Sequence, residues 1–222
     1  MMKIERHILI TGSDGYIASI FKQVFEYLNK CNFTHQTKYF ITCTNTKDLE
    51  KYLSNCENTF DMIIHCGAPS SNKYDLGTII KGVRDQTSML IDFCVDNNTL
   101  LVYPGSMVIF EESRPGGSDK YQYYKKYDDF NIRSNMNLKY LILNFPRVYS
   151  SDRKKGLIND LRCNLVPDSD MDKFIKFCDK ENIYQQLCDI FLNIDVFKFD
   201  KLSVNLKNSH MLDIKGIKEK YL

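Results

Sequence analysis

His7-Ile-Leu-Ile-Thr11-Gly12-Ser-Asp-Gly15-Tyr-Ile-Ala18 is the stretch that decides the fold. Its first half is an apolar run of strand type, and its second half breaks on two glycines. Beyond it, Ile17, Ile20, Phe21, Val24, Phe25 and Leu28 recur at three- and four-residue steps, as one buried helix face does. A strand that breaks on glycines into a helix presents backbone N–H groups and the positive end of the helix dipole to an anion. Gly12 is expected to make the tight turn, and Gly15 to let backbone approach a pyrophosphate. Ala18, in place of a third glycine, still permits close helix–strand packing. A βα turn that merely needs positive φ would carry the same glycines, so this stretch alone does not establish a phosphate site.

Working outward, strands and helices alternate. Lys38 to Cys43 reads as a second strand, Thr46 to Asn55 as a short helix, and Asp61-Met-Ile-Ile-His65 as a third strand. Gly67 to Asn72 is a loop by composition. Helical spacing returns at Ile79, Ile80, Val83, Thr87, Leu90, Ile91, Cys94 and Val95, ahead of a strand at Leu100 to Tyr103. A flexible connection at Arg114 to Ser118 leads to a helix from about Asp119 to Ser134, capped by Ser118 or Asp119. Lys139 to Leu143 is another strand. Each strand is a continuous apolar run, which indicates a parallel sheet covered on both faces, a doubly wound α/β domain over residues 1–150. From 151 to 222 the pattern loosens into a small mixed portion laid against the sheet. Its elements are a short helix at Leu157 to Cys163, a strand at Lys173 to Phe177, a helix at Asp179 to Asn193, a strand at Val196 to Phe199 and a helix from Ile214 to Tyr221.

At 222 residues the chain holds one sizeable domain with room for a small appendage. Hydrophobic residues make up 43% and charged residues 26%, which is ordinary for a globular protein and argues against a disordered chain. A formal charge of +2 leaves no footprint for a nucleic-acid or membrane partner. No apolar run approaches the ~20 residues a bilayer span needs, and Met1 to Arg6 reads as lacking the apolar core of a secretory signal. The eight cysteines stand apart without a Cys-x-x-Cys pair, several of them inside apolar segments. Reduced, packed thiols in a cytoplasmic protein are the expectation, with the sequons at Asn32 and Asn97 unglycosylated. Four widely spaced histidines argue against a metal site.

The second informative stretch is Gly105-Ser106, followed fifteen residues later by Tyr121-Gln-Tyr-Tyr-Lys125. Tyr121 and Lys125 share one face of the expected helix, a turn apart. An ammonium near a phenol favours the phenolate, so such a tyrosine can exchange a proton with a carbonyl or alcohol oxygen. Ser106, just past the end of its strand, can hydrogen-bond the same oxygen, and strand ends are where an open α/β sheet places its ligand. Tyr-x-x-x-Lys is common by chance in a chain with 14 tyrosines; its weight comes from following the serine-bearing strand and the glycine turn.

In this order the motifs resemble the extended branch of the short-chain dehydrogenase/reductase superfamily, the NAD(P)-dependent sugar-nucleotide epimerases, dehydratases and reductases. The resemblance runs from His7 to about Asp179. Thr11 to Ala18 resembles that family's Thr-Gly-x-x-Gly-x-x-Gly/Ala loop, and Asp61 to Ala68 its cofactor-lining strand and turn. Ser106, Tyr121 and Lys125 fall at its catalytic positions, and Pro146-Arg-Val-Tyr149 is similar to the segment before its substrate loops. The resemblance implies a Rossmann-type fold with a small C-terminal substrate-binding portion. It places the dinucleotide on Gly12, Ser13, Asp14, Gly15, Tyr16, Ile17, Thr44, Asn45, Lys47, Cys66, Gly67, Ala68 and Lys125. It implies hydride exchange with a sugar carbon while Tyr121 moves the proton, Lys125 assists and holds the nicotinamide ribose, and Ser106 orients the oxygen.

Departures shape the expected specificity. The second strand ends Cys43-Thr-Asn-Thr46 with Lys47 next, where members preferring NAD carry an acidic residue, so NADP(H) is favoured and NAD(H) is the alternative. Asn144 replaces the family's arginine, Ser150 stands where glycine is usual, and the C-terminal portion is short. Arg147, Arg153, Lys154 and Arg162 are the candidates for substrate phosphates, although each also suits a solvated loop. No acid neighbours Ser106, which disfavours a dehydratase. Tyr123, Tyr127 and Phe130 lie on the helix face opposite Tyr121 and Lys125, which suggests a homodimer through that helix. The expected activity is NADPH-dependent reduction of a 4-keto sugar nucleotide in surface polysaccharide biosynthesis. An epimerase with bound NAD is the enzymatic alternative, and a non-catalytic dinucleotide sensor or partner protein the alternative of another class.

Overall fold

The computed structural model describes residues 4–31, 37–44, 49–55, 59–68, 75–110, 120–154 and 156–222. Six strands form one parallel sheet in the order β2-β1-β3-β4-β5-β8. They are β1 (Ile4–Thr11), β2 (Thr37–Thr44), β3 (Met62–His65), β4 (Leu100–Ser106), β5 (Tyr140–Phe145) and β8 (Lys201–Asn205). The helices between them are α1 (Tyr16–Lys30), α2 (Leu49–Ser54), α3 (Leu76–Ile79), α4 (Gln86–Asp96) and α5 (Lys120–Ser134), with one π-helical stretch, Ile80–Asp85, joining α3 to α4. A three-stranded sheet is made by β6 (Val148–Tyr149), β7 (Phe174–Asp179) and β9 (His210–Asp213). The remaining helices are α6 (Leu157–Arg162), α7 (Lys180–Asn193) and α8 (Ile214–Tyr221).

The apolar runs of the central strands follow from burial on both faces. Successive side chains of a strand point to opposite sides. Ile8, Ile10, Met62, Ile64, Leu100, Val102, Leu141 and Leu143 pack with α1 and α7, where Phe21 and Phe25 meet Phe191. Leu9, Ile63, Leu101, Tyr103, Tyr140 and Ile142 pack with α2, α4 and α5. Each such aliphatic side chain removed from water contributes about 1.5–3 kcal/mol, so this double layer dominates the stability.

The C-terminal third differs from the sequence expectation. Val196 to Phe199, expected as a strand, holds the 3-10 turn Val196–Lys198, which buries Val196 and lays Phe197 under Arg6. The strand follows at β8, which alternates exposed and half-buried residues as an edge strand does, rather than running continuously apolar. β8 and α7 therefore belong to the main sheet and its cover, while β6 joins the small sheet, so a boundary at residue 150 does not coincide with the division between the sheets. The small sheet encloses its own core of Tyr149, Ile158, Leu161, Phe177, Ile214 and Ile217. Asp179 clasps α8 to it by accepting hydrogen bonds from Lys220 (3.0 Å) and Tyr221. Among the described residues no helix is long and apolar enough to cross a membrane, and the seven described cysteines are free thiols.

Candidate functional site

Because the six strands are parallel, their C-terminal ends form one edge. Thr11 pairs in register with Thr44 and with His65, and Ser106 with Phe145. The chain steps to β2 on one side of β1 and to β3 on the other, which makes the β1–β3 edge a topological switch point, where open α/β sheets leave a crevice.

The glycine turn occupies that point. Gly12 adopts φ +63°, and a Cβ there would lie 2.5 Å from Gly67 Cα and 2.7 Å from Gly67 N. The turns after β1 and β3 thus touch backbone to backbone, and Gly12 is required for that contact as well as for the reversal. Gly15, at φ −75°, is the N-cap of α1, and its N–H donates to the Gly12 carbonyl at 2.8 Å. The Ser13 N–H donates to the Thr44 carbonyl at 3.3 Å, and Lys22 Nζ to the Ser13 carbonyl at 2.8 Å. No side chain caps α1, whose first intrahelical bond runs from Ser19 N–H to Gly15 O. Helix geometry therefore points the N–H groups of Tyr16, Ile17 and Ala18 out of its end, the arrangement a phosphate needs. Asp14 is exposed within the turn, Cys66 and Gly67 lie against it from the end of β3, and half-buried Ala68 follows them. Asn45 and Lys47, on which the cofactor preference turns, lie outside the described residues.

Ser106 ends β4, and the 3-10 turn Met107–Phe110 follows it. Gln122 Nε2 donates to the Val108 carbonyl at 2.7 Å, tying the first turn of α5, with Tyr121, to the segment after Ser106. Lys125 is only 4% exposed. Its Nζ donates to Tyr103 Oη at 2.7 Å and to the Pro104 carbonyl at 3.3 Å. The Tyr103 hydroxyl in turn donates to Asp128 Oδ2 at 2.9 Å, as does Thr87 Oγ1. Burial holds the Lys125 ammonium down to about 8, against the opposing charge of Asp128. Burial pushes the Asp128 carboxyl up to about 6, opposed by Lys125 and the two hydroxyl donors. The Tyr103 phenol is raised by burial and by Asp128. His65, with Nδ1 2.8 Å from Thr11 Oγ1, is lowered to about 3 by burial and then by Lys125, and is neutral at pH 7. Tyr103, Asp128, Thr87 and His65 were not among the residues expected from the sequence. Asp128 alone had a signal, standing one turn after Lys125 on the same face.

The basic residues are placed differently from one another. Arg147 and Lys154 are exposed. Arg153 lies 5.2 Å from the Tyr16 ring centroid and donates to the Val148 carbonyl. Arg162 donates to the carbonyls of Arg153 (3.1 Å) and Ser151, so its guanidinium braces the loop. Ser150 meets the Tyr16 hydroxyl at 2.5 Å, joining the start of α1 to the C-terminal third. Asn144 packs so closely beneath Gly105 that a Cβ there would collide with its side-chain oxygen, and its Nδ2 donates to Asn205 of β8 at 2.7 Å. A cavity of about 190 Å³ lined by Arg6, Tyr39, Phe191 and Phe197 lies at the opposite, N-terminal end of β1 and β2 and is not this site.

The architecture is a Rossmann-type α/β fold. No protein-family model and no curated protein matches the sequence, whereas solved structures share the fold over nearly the whole chain. A UDP-N-acetylglucosamine 4-epimerase from Methanobrevibacter ruminantium, in complex with UDP-N-acetylmuramic acid, matches 97% of this chain and 81% of its own with a TM-score of 0.69 at 15% identity. A dTDP-glucose 4,6-dehydratase from Streptomyces venezuelae with NAD bound matches 97% of this chain and 80% of its own with a TM-score of 0.71 at 13% identity. A monomeric L-threonine 3-dehydrogenase from a metagenome matches 96% of this chain and 80% of its own with a TM-score of 0.69 at 12% identity. At such identities the likeness is one of fold, and the fold is the one that the sequence motifs imply.

Proposed function

We propose that the chain is an NAD(P)-dependent oxidoreductase acting on a nucleotide-linked sugar, with reduction of a 4-keto sugar nucleotide by NADPH as its reaction. The observation that carries this reading is a shared sheet edge. The glycine turn, closed against Cys66–Gly67, stands at the switch point, and Ser106, Tyr121 and Lys125 flank the neighbouring end of β4. The N-terminus of α1 and the turn would hold the pyrophosphate, with Thr44 at the end of β2 on the adenosine side. The bound dinucleotide supplies the hydride. Tyr121 donates a proton to the sugar oxygen, Ser106 orients that oxygen, and Lys125 provides the positive charge beside them. Arg147, Arg153 and Lys154 would meet the phosphates of the nucleoside diphosphate. The neutral end of β2 favours NADP(H). Surface polysaccharide synthesis in the cytoplasm is the setting this substrate class suggests.

Epimerisation is the second reading, supported by the fold likeness to a UDP-N-acetylglucosamine 4-epimerase and by NAD in the similar dehydratase. NADPH oxidation measured against a panel of 4-keto sugar nucleotides separates the readings. Turnover of NADPH supports the reductase, whereas interconversion of 4-epimers without net cofactor use supports the epimerase. Tight dinucleotide binding with no turnover would leave a sensor, and no binding of either dinucleotide would end the proposal.

The proposed enzyme is a homodimer. Helix α5 buries a polar stripe of Gln122, Lys125 and Asp128 and turns Tyr123 (65% exposed) and Phe130 (69% exposed) outward. An aromatic face of this kind is apolar area for a second copy. Light scattering at micromolar concentration should give twice the chain mass, and Phe130→Glu should return the mass to that of one chain. A wild-type monomer would refute the dimer.

A further inference from the structure

We propose that Tyr103 and Asp128 are positioning residues for Lys125, anchoring its side chain and balancing its charge behind the reacting face. The inference rests on the reading of Lys125 as part of the catalytic set, and it adds two residues that the motif does not contain.

The geometry is a directed chain. Lys125 Nζ donates to Tyr103 Oη at 2.7 Å and Tyr103 Oη donates to Asp128 Oδ2 at 2.9 Å. Thr87 Oγ1 lies 2.9 Å from the same carboxylate oxygen and 2.5 Å from the Val83 carbonyl of the π-helical stretch, sharing its one hydroxyl proton between them, while Asp128 Oδ1 is buried without a hydrogen-bond partner among the described residues. Tyr103, Thr87 and Asp128 are 0% exposed, and Lys125 nearly so. A buried charged pair is costly, and a carboxylate without its partner costlier still, so such a pair gives poor returns as a simple structural filler. A phenylalanine at position 103 would fill the same space in the surrounding cluster of Leu9, Ile63, Leu101 and Ile142. What the tyrosine adds is a hydroxyl that accepts from the lysine and hands the interaction on to a negative charge.

The consequence concerns the protonation of Lys125. Burial lowers the Lys125 ammonium to about 8, and Asp128 is the first charge that favours it. The other titratable groups facing Lys125 are His65 and Cys66 from β3 and its turn, while Tyr121 and Asp129 of α5 act on Tyr103. His65 is neutral at pH 7, and burial raises the Cys66 thiol so that it stays protonated. Asp128 is thus the carboxylate hydrogen-bonded into this chain. Without it, Lys125 loses its proton within the working pH range, and with it the positive charge offered to cofactor and substrate.

The test is a pH titration of the full chain carrying [ε-13C]lysine, followed by NMR, on the wild type, Tyr103→Phe, Asp128→Asn and Thr87→Val. The wild-type Lys125 midpoint is expected near 8, apart from the surface lysines. Asp128→Asn keeps the shape and removes the charge; it should lower the midpoint by about one unit or more, a tenfold smaller ammonium-to-amine ratio at a given pH. Tyr103→Phe keeps the ring and should lower the midpoint by less. Thr87→Val, which leaves the Lys125–Tyr103–Asp128 chain intact, serves if Asp128→Asn does not fold, and should shift the midpoint in the same direction by the smallest amount. The basic limb of the turnover profile should move to lower pH in step. A merely structural role would lower the yield of folded protein and leave the midpoint in place, and an unmoved midpoint in folded Tyr103→Phe and Thr87→Val overturns the proposal. The titration needs no substrate, so a shifted midpoint in a protein that turns over no sugar nucleotide supports the positioning and counts against the proposed reaction instead.

Discussion

Gly12→Ala is expected to lower the thermal midpoint by roughly 5–15 °C and to abolish dinucleotide binding. Two costs add. An L-residue at φ +63° sits in the left-handed region, at about 1–2 kcal/mol. The new methyl would lie 2.5 Å from Gly67 Cα, 2.7 Å from Gly67 N and 2.8 Å from the Cys66 carbonyl carbon. All three are backbone atoms at the end of a central strand, so they cannot swing aside, and such overpacking costs about 1–3 kcal/mol more. For a chain of this size each kcal/mol shifts the midpoint by about 2–4 °C. Two other glycines separate the costs. Gly156 has φ +73° and nothing within 4 Å of its would-be Cβ, so Gly156→Ala should show the conformational cost alone. Gly15 has φ −75° and a Cβ position 3.0 Å from the Gly12 carbonyl, so Gly15→Ala should show mild crowding without conformational strain. Thermal denaturation by circular dichroism and fluorescence titration with NADPH read the three variants side by side. Gly12→Ala no less stable than Gly15→Ala would mean that the β1 and β3 turns are not in the close contact described.

This pairing of turns explains why some of the molecule is legible in its sequence and some is not. The glycine turn, the alternation of elements and five of the six strands of the main sheet are legible because each is a local pattern with one physical cause: a run buried on both faces, a helix stripe, a glycine break. β8 is harder to read, since an edge strand half open to solvent writes only Leu202 and Val204 between polar residues, and the more apolar Val196 to Phe199 competes with it. The small strands β6 and β9 exist only through their partner β7, a long-range pairing with no local signature. In the candidate site, the positions of Ser106, Tyr121 and Lys125 along the chain are legible, but the surroundings of Lys125 are not. Charged residues on a helix ordinarily read as its wet face, and α5 inverts this by burying Lys125 and Asp128 and exposing Tyr123 and Phe130. Arg162 shows the converse: its charge suggests phosphate, while the fold of the loop gives its guanidinium to the Ser151 and Arg153 carbonyls.

Tyr121→Phe is the substitution expected to cost most in turnover, by about 10²–10⁴-fold, the range over which a positioned acid or base contributes. The change deletes one oxygen and leaves the ring, so α5 keeps its packing and the tie from Gln122 to the Val108 carbonyl is untouched. The glycine turn lies on a different strand end, so the affinity for dinucleotide should change by less than about threefold, and kcat should fall with little change in KM. Ser106→Ala should behave similarly but more mildly, since the serine orients an oxygen and does not exchange its proton. Lys125 is the poorer probe of chemistry. Its removal strands the Asp128 carboxylate, which is 0% exposed and has only hydroxyls for company, and an unpaired buried charge destabilises a protein by about 3–5 kcal/mol. A lysine variant without activity would therefore report unfolding and lost catalysis together. Tyr121→Phe carries no such penalty, and stopped-flow measurement of NADPH oxidation under single-turnover conditions isolates the step at which it acts. An unchanged single-turnover rate would remove Tyr121 from the proton step, whatever the affinity for the sugar nucleotide, and would leave the sheet edge as a binding site without its acid.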